Sequence, residues 1–383
     1  MSTVAAQQAS QNPMRRLGPV LLLGLLVLGL ALLGLTVLLS IGQATANANA
    51  LAFKQAIWIG LGLMVCLVAA CVDLEKLRPW APVVGAAVVV MLVLVLIPEI
   101  GHKVNGARRW IRISALGMSL QVSDFAKVGM VFVLAHYLAL DHRHRQTFWR
   151  GFVLPLSFIG LVAGLILIEP DYGTALLVGS VGGLMLFLAG ARMMFLVPTA
   201  LVGGVGFALA IMQDPVRWRR ILAFIDLEGN KSDAAYQLWQ GILAFGVGGL
   251  RGVGLGNGRQ QMDFLPEAQT DFILPIIGEE LGLLFTGGVT IAFLLIFIFG
   301  FLNLRRAPNP FQFLIAAGAL LFITLQALIN ICVVTGLVPT KGMSLPFVSY
   351  GGSNLVAMFM LVGLVLNGFW RWRPVAPLRP LEL

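Results

Sequence analysis

Four of the chain's seventeen acidic residues crowd one stretch, FLPEAQTDFILPIIGEELG (Phe264–Gly282): Glu267, Asp271, Glu279 and Glu280. The stretch runs straight into a long apolar segment, where ionisable groups are costly and mark function by default. Two roles suit Asp271. It could cap the helix that follows, with Pro275 tolerated in the first turn. Or it could stand at the water–lipid boundary as a general base for a polar substrate. Glu267 shares a face with Asp271 only if the helix reaches back that far. Glu279 and Glu280 lie roughly 10 Å deeper at 1.5 Å per residue. For that pair, burial against cations is expected rather than catalysis.

Two further stretches carry chemistry. In QVSDFAKVGM, Ser123 can cap a span and place Lys127 just inside it, where a cation opposes the helix dipole. Lys127 therefore needs an acidic partner, and Asp124 or Asp171 (in IEPDYGTA) can supply it. A structural Lys–Asp bridge is favoured over direct substrate contact, and the two are compatible. GLVPTKGMSLPFVSYGGSN (Gly336–Asn354) interrupts apolar sequence with two prolines and four glycines. It suits a re-entrant turn or a cavity wall. Lys341 is its only charge, and Ser349, Tyr350 and Ser353 add hydroxyls.

Arginines cluster nearby in sequence: Arg108, Arg109 and Arg112, then Arg217, Arg219, Arg220, Lys231, Arg251 and Arg259. A surface for anionic headgroups and a site for a phosphate-bearing substrate account for them equally well. Cys66, Cys71 and Cys332 read as small buried hydrophobes, and His142 and His144 in DHRHRQ as a solvated charge cluster. No zinc-type spacing occurs, and no cofactor is demanded; a divalent cation is compatible. GVGGLRGVGLGNG lacks the nucleotide fingerprint and reads as a turning connector.

The elements that position these residues are membrane helices. The chain has 383 residues, 58% of them apolar and 11% charged, with mean hydropathy +0.91. That excludes a water-facing globule and implies an all-α polytopic membrane protein forming a single domain. Ten spans are expected, near 17–41, 53–72, 80–98, 122–140, 151–168, 173–190, 194–212, 272–301, 311–335 and 352–369. The first reads as uncleaved, after a tail of sixteen residues ending in Arg15 and Arg16. Thirteen of the twenty-six Lys and Arg fall inside if the N-terminus is cytoplasmic, a tie. The short inner loops, FLNLRRAPNP and LAGARMM, tip the balance to both termini inside, with 370–383 as a cytoplasmic tail. The outer segment 213–271 contains two helix-like stretches, RWRRILAFIDLE and SDAAYQLWQGILAFG. Both suit helices lying at the interface, the second capped by Ser232 or Asp233.

Taken together, GARRWIRI, SDFAK, EPDYGTA, YQLWQGILAFGVGGLRGVGLGNG, FLPEAQTDFILPIIGEELG and VPTKGMSLPFVSYGGS resemble the SEDS family (shape, elongation, division and sporulation). The resemblance runs from about Gly106 to Asn354, and PTKG and IGEELG are closer to its FtsW and SpoVE branches than to RodA. It implies a peptidoglycan glycosyltransferase that polymerises lipid II at the outer face of the bacterial inner membrane, with release of undecaprenyl pyrophosphate. It further implies a class B penicillin-binding protein as partner, alongside other division or elongation proteins. By the same resemblance, the family's essential acid falls on Asp271, and its conserved Lys and Asp on Lys127 and Asp171. Arg109, Lys127, Arg217, Arg220 and Lys341 are then the expected pyrophosphate-binding cations. Asp124, Asp171, Glu267, Glu279, Glu280, Ser349, Tyr350 and Ser353 are the supporting groups. Gln269 stands where many relatives have His, and Val122 and Asp124 replace the commoner Pro and Glu. A lipid II flippase and a non-catalytic envelope scaffold are the competing readings.

Overall fold

The computed structural model of the protein describes residues 13–44, 48–104, 107–113, 118–140, 147–262 and 264–372. His142 and His144, and the tail after Trp372, lie outside them. Each expected apolar run is a helix: α1 (Pro13–Ala44), α2 (Ala48–Cys71), α3 (Ala81–Leu96), α4 (Val122–Leu138), α5 (Leu154–Ile168), α6 (Tyr172–Leu188) and α7 (Met193–Met212). Two shorter helices follow, α8 (Pro215–Ile225) and α9 (Tyr236–Gly248). Then come α10 (Ile273–Leu304), α11 (Pro310–Val334) and α12 (Gly352–Arg371). Among the described residues, eight segments are long and apolar enough to cross a membrane. The shorter α4 and α6, 17 residues each, complete the set of ten.

The helices pack as membrane helices do, through small residues and without a hydrophobic drive from water. α2 and α12 make the most extensive pairing, and a Cβ on Gly363 would fall 2.5 Å from the Cys66 carbonyl oxygen. Phe272, Phe311, Phe322, Phe347 and Phe359 are the largest fully buried side chains. Cys71, read from the sequence as buried, is exposed, because it ends α2 at the bundle's edge. α7 is the outlier. None of its residues is buried, and it meets the bundle chiefly through α6 and α8.

Polar contacts sort the loops to two ends. At one end Glu75 accepts from Asn309 (2.6 Å) and Gln312 (3.2 Å), and Arg371 reaches Asp73 (3.7 Å). At the other, the segments 101–121, 169–171, 213–272 and 336–351 meet, as do Ser40 near the end of α1 and Glu280. Ten alternating helices require this sorting.

Two features depart from the sequence reading. Three strands, β1 (Gly101–Val104), β2 (Ala107–Ile113) and β3 (Met118–Gln121), form a small antiparallel sheet in that order. The register between β1 and β2 slips at Arg109: His102 lies opposite Trp110 and Lys103 opposite Arg108, so Arg109 is the extra residue of a bulge with no partner on β1. Second, α10 is not one span. Gly282 has φ 77, ψ −174, which breaks it into a short helix, Ile273–Leu281, and a longer lipid-facing one. Residues 273–280 are all buried, whereas Leu283 and Leu284 are exposed.

The glycine-rich connector explains the break. It wraps over the end of the short helix, where carbonyls lack intrahelical partners. Val253 N donates to Glu279 O and Gly254 N to Glu280 O, both at 2.9 Å. In return, Leu283 N donates to Gly249 O (2.9 Å) and Leu284 N to Leu250 O (3.4 Å). Gly252, at φ 75, packs directly on the Glu280 carbonyl, so no larger residue fits there.

Candidate active site

Asp271 sits in the turn before α10, half-buried. It is not the helix cap: Phe272 occupies that position, and no side chain caps the helix. The turn is closed by Glu267, whose carbonyl accepts from Thr270 N (3.1 Å) and Phe272 N (3.2 Å). Glu267 has φ 55, so the helix does not extend back to it, and its carboxylate takes the Thr270 hydroxyl at 2.8 Å. Asn330 of α11 donates to the Asp271 carbonyl (2.8 Å) and the Met343 carbonyl (2.6 Å), which locks this turn to the loop 336–351. Ser349 Oγ donates to Thr270 O (2.5 Å), and Tyr350 N donates to Gln269 O (2.8 Å).

The backbone at Asp271 is therefore fixed, while its carboxylate accepts no hydrogen bond among the described residues. It faces Gly342, where a Cβ would come within 2.6 Å of Oδ2. Burial raises its pKa to about 7, and the charges of Glu267 and Asp171 push the same way. Arg220 and Arg109 oppose them. A carboxylate with a pKa near 7, fixed backbone and free oxygens has the properties of a general base.

The cations gather on the turn between α5 and α6. Arg109 Nε donates to Glu169 O (2.9 Å), and its Nη2 to Pro170 O (2.6 Å). Its Nη1 lies 3.8 Å from Asp171 Oδ2. Arg217 of α8 donates to Pro170 O (3.1 Å), pairs with Asp214, and stacks over the Tyr172 ring at 3.5 Å. Lys341 Nζ donates to Tyr172 O (2.7 Å) and lies 5.2 Å from the Phe207 ring of α7. Burial lowers the Lys341 pKa to about 8, so the ammonium still prevails at neutral pH. Backbone carbonyls thus position three cations; Arg109 and Arg217 also pair with Asp171 and Asp214, whereas Lys341 has no carboxylate partner among the described residues. Arg220 is exposed and enters only through its field on Asp271, while Arg219 pairs with Asp233. That pairing also takes Asp233 away from α9, which starts after Ala235 without a side-chain cap.

Asp171 caps α6 by accepting from Thr174 N (3.1 Å) and Thr174 Oγ1 (3.0 Å). It does not reach Lys127. Lys127 is 3% exposed and donates to Asp124 (2.9 Å), Gln326 (3.1 Å) and Asn354 (3.3 Å). Ser353 Oγ donates to the other Asp124 oxygen (3.0 Å) and accepts from Gln121 N. Ser123 lies inside α4, not at its cap, and takes the Gln121 side chain (3.0 Å) instead. Lys127 is therefore the centre of a closed polar knot behind the site, and none of its described partners leaves it facing a ligand.

Glu279 and Glu280 correct the expectation of cation partners. Glu279 accepts from Arg259 N (2.9 Å) and Gln260 N (3.1 Å). Glu280 accepts from Ser40 Oγ (2.6 Å) and Gly256 N (2.9 Å). Both hold the connector in place through backbone amides. Residue types alone do not single out Gln121, Asn330, Gln326 or Gly342. Their signal is polarity, or absence of a side chain, within otherwise apolar runs. Among the described residues no three His, Cys, Asp or Glu gather as a metal ion would need.

The family model described as "Cell cycle protein", FtsW/RodA/SpoVE, matches residues 16–368. The chain belongs to the FtsW/RodA/SpoVE family. Similar members include the probable peptidoglycan glycosyltransferase FtsW of Coxiella burnetii, 39% identical over 82% of this chain and 85% of that one. Stage V sporulation protein E of Bacillus subtilis is 38% identical over 82% and 85%. Among solved structures, a chain from a peptidoglycan synthase complex that coordinates polymerization and crosslinking superposes with TM-score 0.73 at 25% identity, covering 91% and 96%. The rod shape determining protein RodA of Thermus thermophilus gives 0.67 at 26%, covering 91% and 95%. The match thus spans both ends of the bundle and every loop of the site.

Proposed function

We propose that this FtsW/RodA/SpoVE-family chain is a peptidoglycan glycosyltransferase that polymerises lipid II during cell division, with Asp271 as general base. One observation carries the reading: a carboxylate free of hydrogen bonds and near neutrality stands beside cations tethered by backbone carbonyls. The acceptor's GlcNAc 4-hydroxyl attacks the anomeric carbon of the donor's MurNAc. Its proton passes to Asp271 as the new C–O bond forms. The bond from that carbon to the phosphate oxygen breaks, and undecaprenyl pyrophosphate leaves with the electron pair. Arg109, Arg217 and Lys341 stabilise the departing charge, with Arg220 at the rim, as preorganised electrostatic catalysis requires. An α-linked donor gives a β-linkage by one inverting displacement, so no covalent nucleophile and no cofactor is needed.

Lys127, Asp124 and Ser353 support this centre from behind, Asp171 orients Arg109, and Ser349 and Tyr350 fasten the loop. The site opens to the outer face of the bacterial inner membrane, with both termini cytoplasmic. A class B penicillin-binding protein is the partner that cross-links the product. The test is purified protein, with that partner, given labelled lipid II in vesicles. Glycan polymer is expected. Transbilayer movement of lipid II without polymer would establish the flippase instead, and neither activity would leave a scaffold.

A further inference from the structure

Glu169 lies in the turn between α5 and α6 and is fully buried, at 0% exposure. Neither of its carboxyl oxygens has a hydrogen-bond partner among the described residues, although its backbone carbonyl accepts from Arg109. The residue thus offers Arg109 two kinds of acceptor, a carbonyl that it uses and a carboxyl that it does not.

Charged groups face Glu169 from each neighbouring element. β2 contributes Arg109, the α6 cap contributes Asp171, and α4 contributes Asp124 with its partner Lys127. Further along the same turn, Arg217 holds Pro170 O and Lys341 holds Tyr172 O. With Glu169 neutral, Asp124 and Asp171 balance Lys127 and Arg109. With Glu169 ionised, a third buried carboxylate has no cation of its own. Burial, then the charge of Asp171, raises its pKa to about 8, with Arg109 acting in the opposite direction.

We propose that Glu169 is a positioning residue for the cation centre. As a neutral acid it leaves Arg109 on the carbonyls of the 169–170 turn, aimed at the substrate's pyrophosphate. As a carboxylate it competes for Arg109 and withdraws it from that role. The proton it loses goes to water. Donor binding therefore weakens as the solution becomes alkaline, while the chemistry at Asp271 does not need Glu169. The inference rests on the glycosyltransferase reading.

The test measures KM and kcat for labelled lipid II across about pH 6–10 for the wild type and Glu169→Gln, which mimics the neutral acid and cannot ionise. In the wild type KM should rise about tenfold or more above pH 8, whereas in Glu169→Gln only the smaller rise from deprotonation of Lys341 should remain; tenfold corresponds to about 1.4 kcal/mol of binding. A KM that rises equally in both proteins would assign the effect to Lys341 and overturn the proposal. So would a flat wild-type KM, or a folded Glu169→Gln protein inactive at every pH. If Glu169→Gln does not accumulate, Glu169→Met, uncharged and of similar length, takes its place. A wild type that makes no polymer at any pH would instead overturn the glycosyltransferase reading itself.

Discussion

The short helix Ile273–Leu281 has acids at both ends, and they are treated in opposite ways. Glu279 and Glu280 are buried and fastened by backbone amides of the glycine-rich connector and by Ser40. Asp271, just before the helix begins, has a fixed backbone and an unbonded carboxylate. The same residue class is structural at one end and chemically available at the other. Hydrogen bonds to the two glutamates hold them still, whereas burial of Asp271 without such bonds keeps its proton near exchange at neutral pH. The difference lies in what faces each acid: a loop of free N–H groups in one case, and Gly342 with the fields of Arg220 and Arg109 in the other.

Four substitutions break or sharpen this contrast. Asp271→Asn should lower kcat by about 10²–10⁴, the usual weight of a general base, with thermal stability close to wild type. Polymerisation rate and a thermal melt of the same preparation check it. Gly342→Ala should displace the Asp271 carboxylate and lower kcat by about 10–100-fold, since small misplacements at a reacting group are expensive. Steady-state kinetics, with KM little changed, would show it. Glu279→Ala leaves the Arg259 and Gln260 amides unpaired and should cost about 1–3 kcal/mol of stability, with activity falling only as folded protein is lost. A melt with activity normalised to folded protein separates the two. Arg220→Gln removes a cation that lowers the Asp271 pKa, so the acid limb of kcat/KM should move upward, by less than about one pH unit.

Much of this architecture can be read from sequence, because the ten apolar runs are long and glycine, proline and charge mark their ends. Asp271 stands out for the same reason, as an acid at a helix mouth. Three things are not legible. The break at Gly282 follows Glu279 and Glu280 in a run whose mean hydropathy is high enough to pass over it, and only the connector's packing reveals why a positive φ is needed. The sheet strands are short and dense in charge, and ARRWIRI does not alternate, because Arg108–Arg109 and Trp110–Ile111 break the period and the register slips there. The partners of Glu279 and Glu280 are main-chain amides, which no residue type announces. Lys127 illustrates the converse: its i−3 partner Asp124 is visible in the sequence, but the closure by Gln326 and Asn354 from distant helices is not.

The central claim is that Asp271 removes the acceptor's proton. The pH dependence of kcat/KM for lipid II polymerisation tests it most directly. A base must be deprotonated to act, so the wild-type value should rise through about pH 7, following the raised pKa of Asp271, and fall again only above about pH 8, where donor binding weakens. Asp271→Asn should show only a low residual rate without that limb. A wild-type profile with no rise in this range, or the same limb retained in Asp271→Asn, would contradict the account.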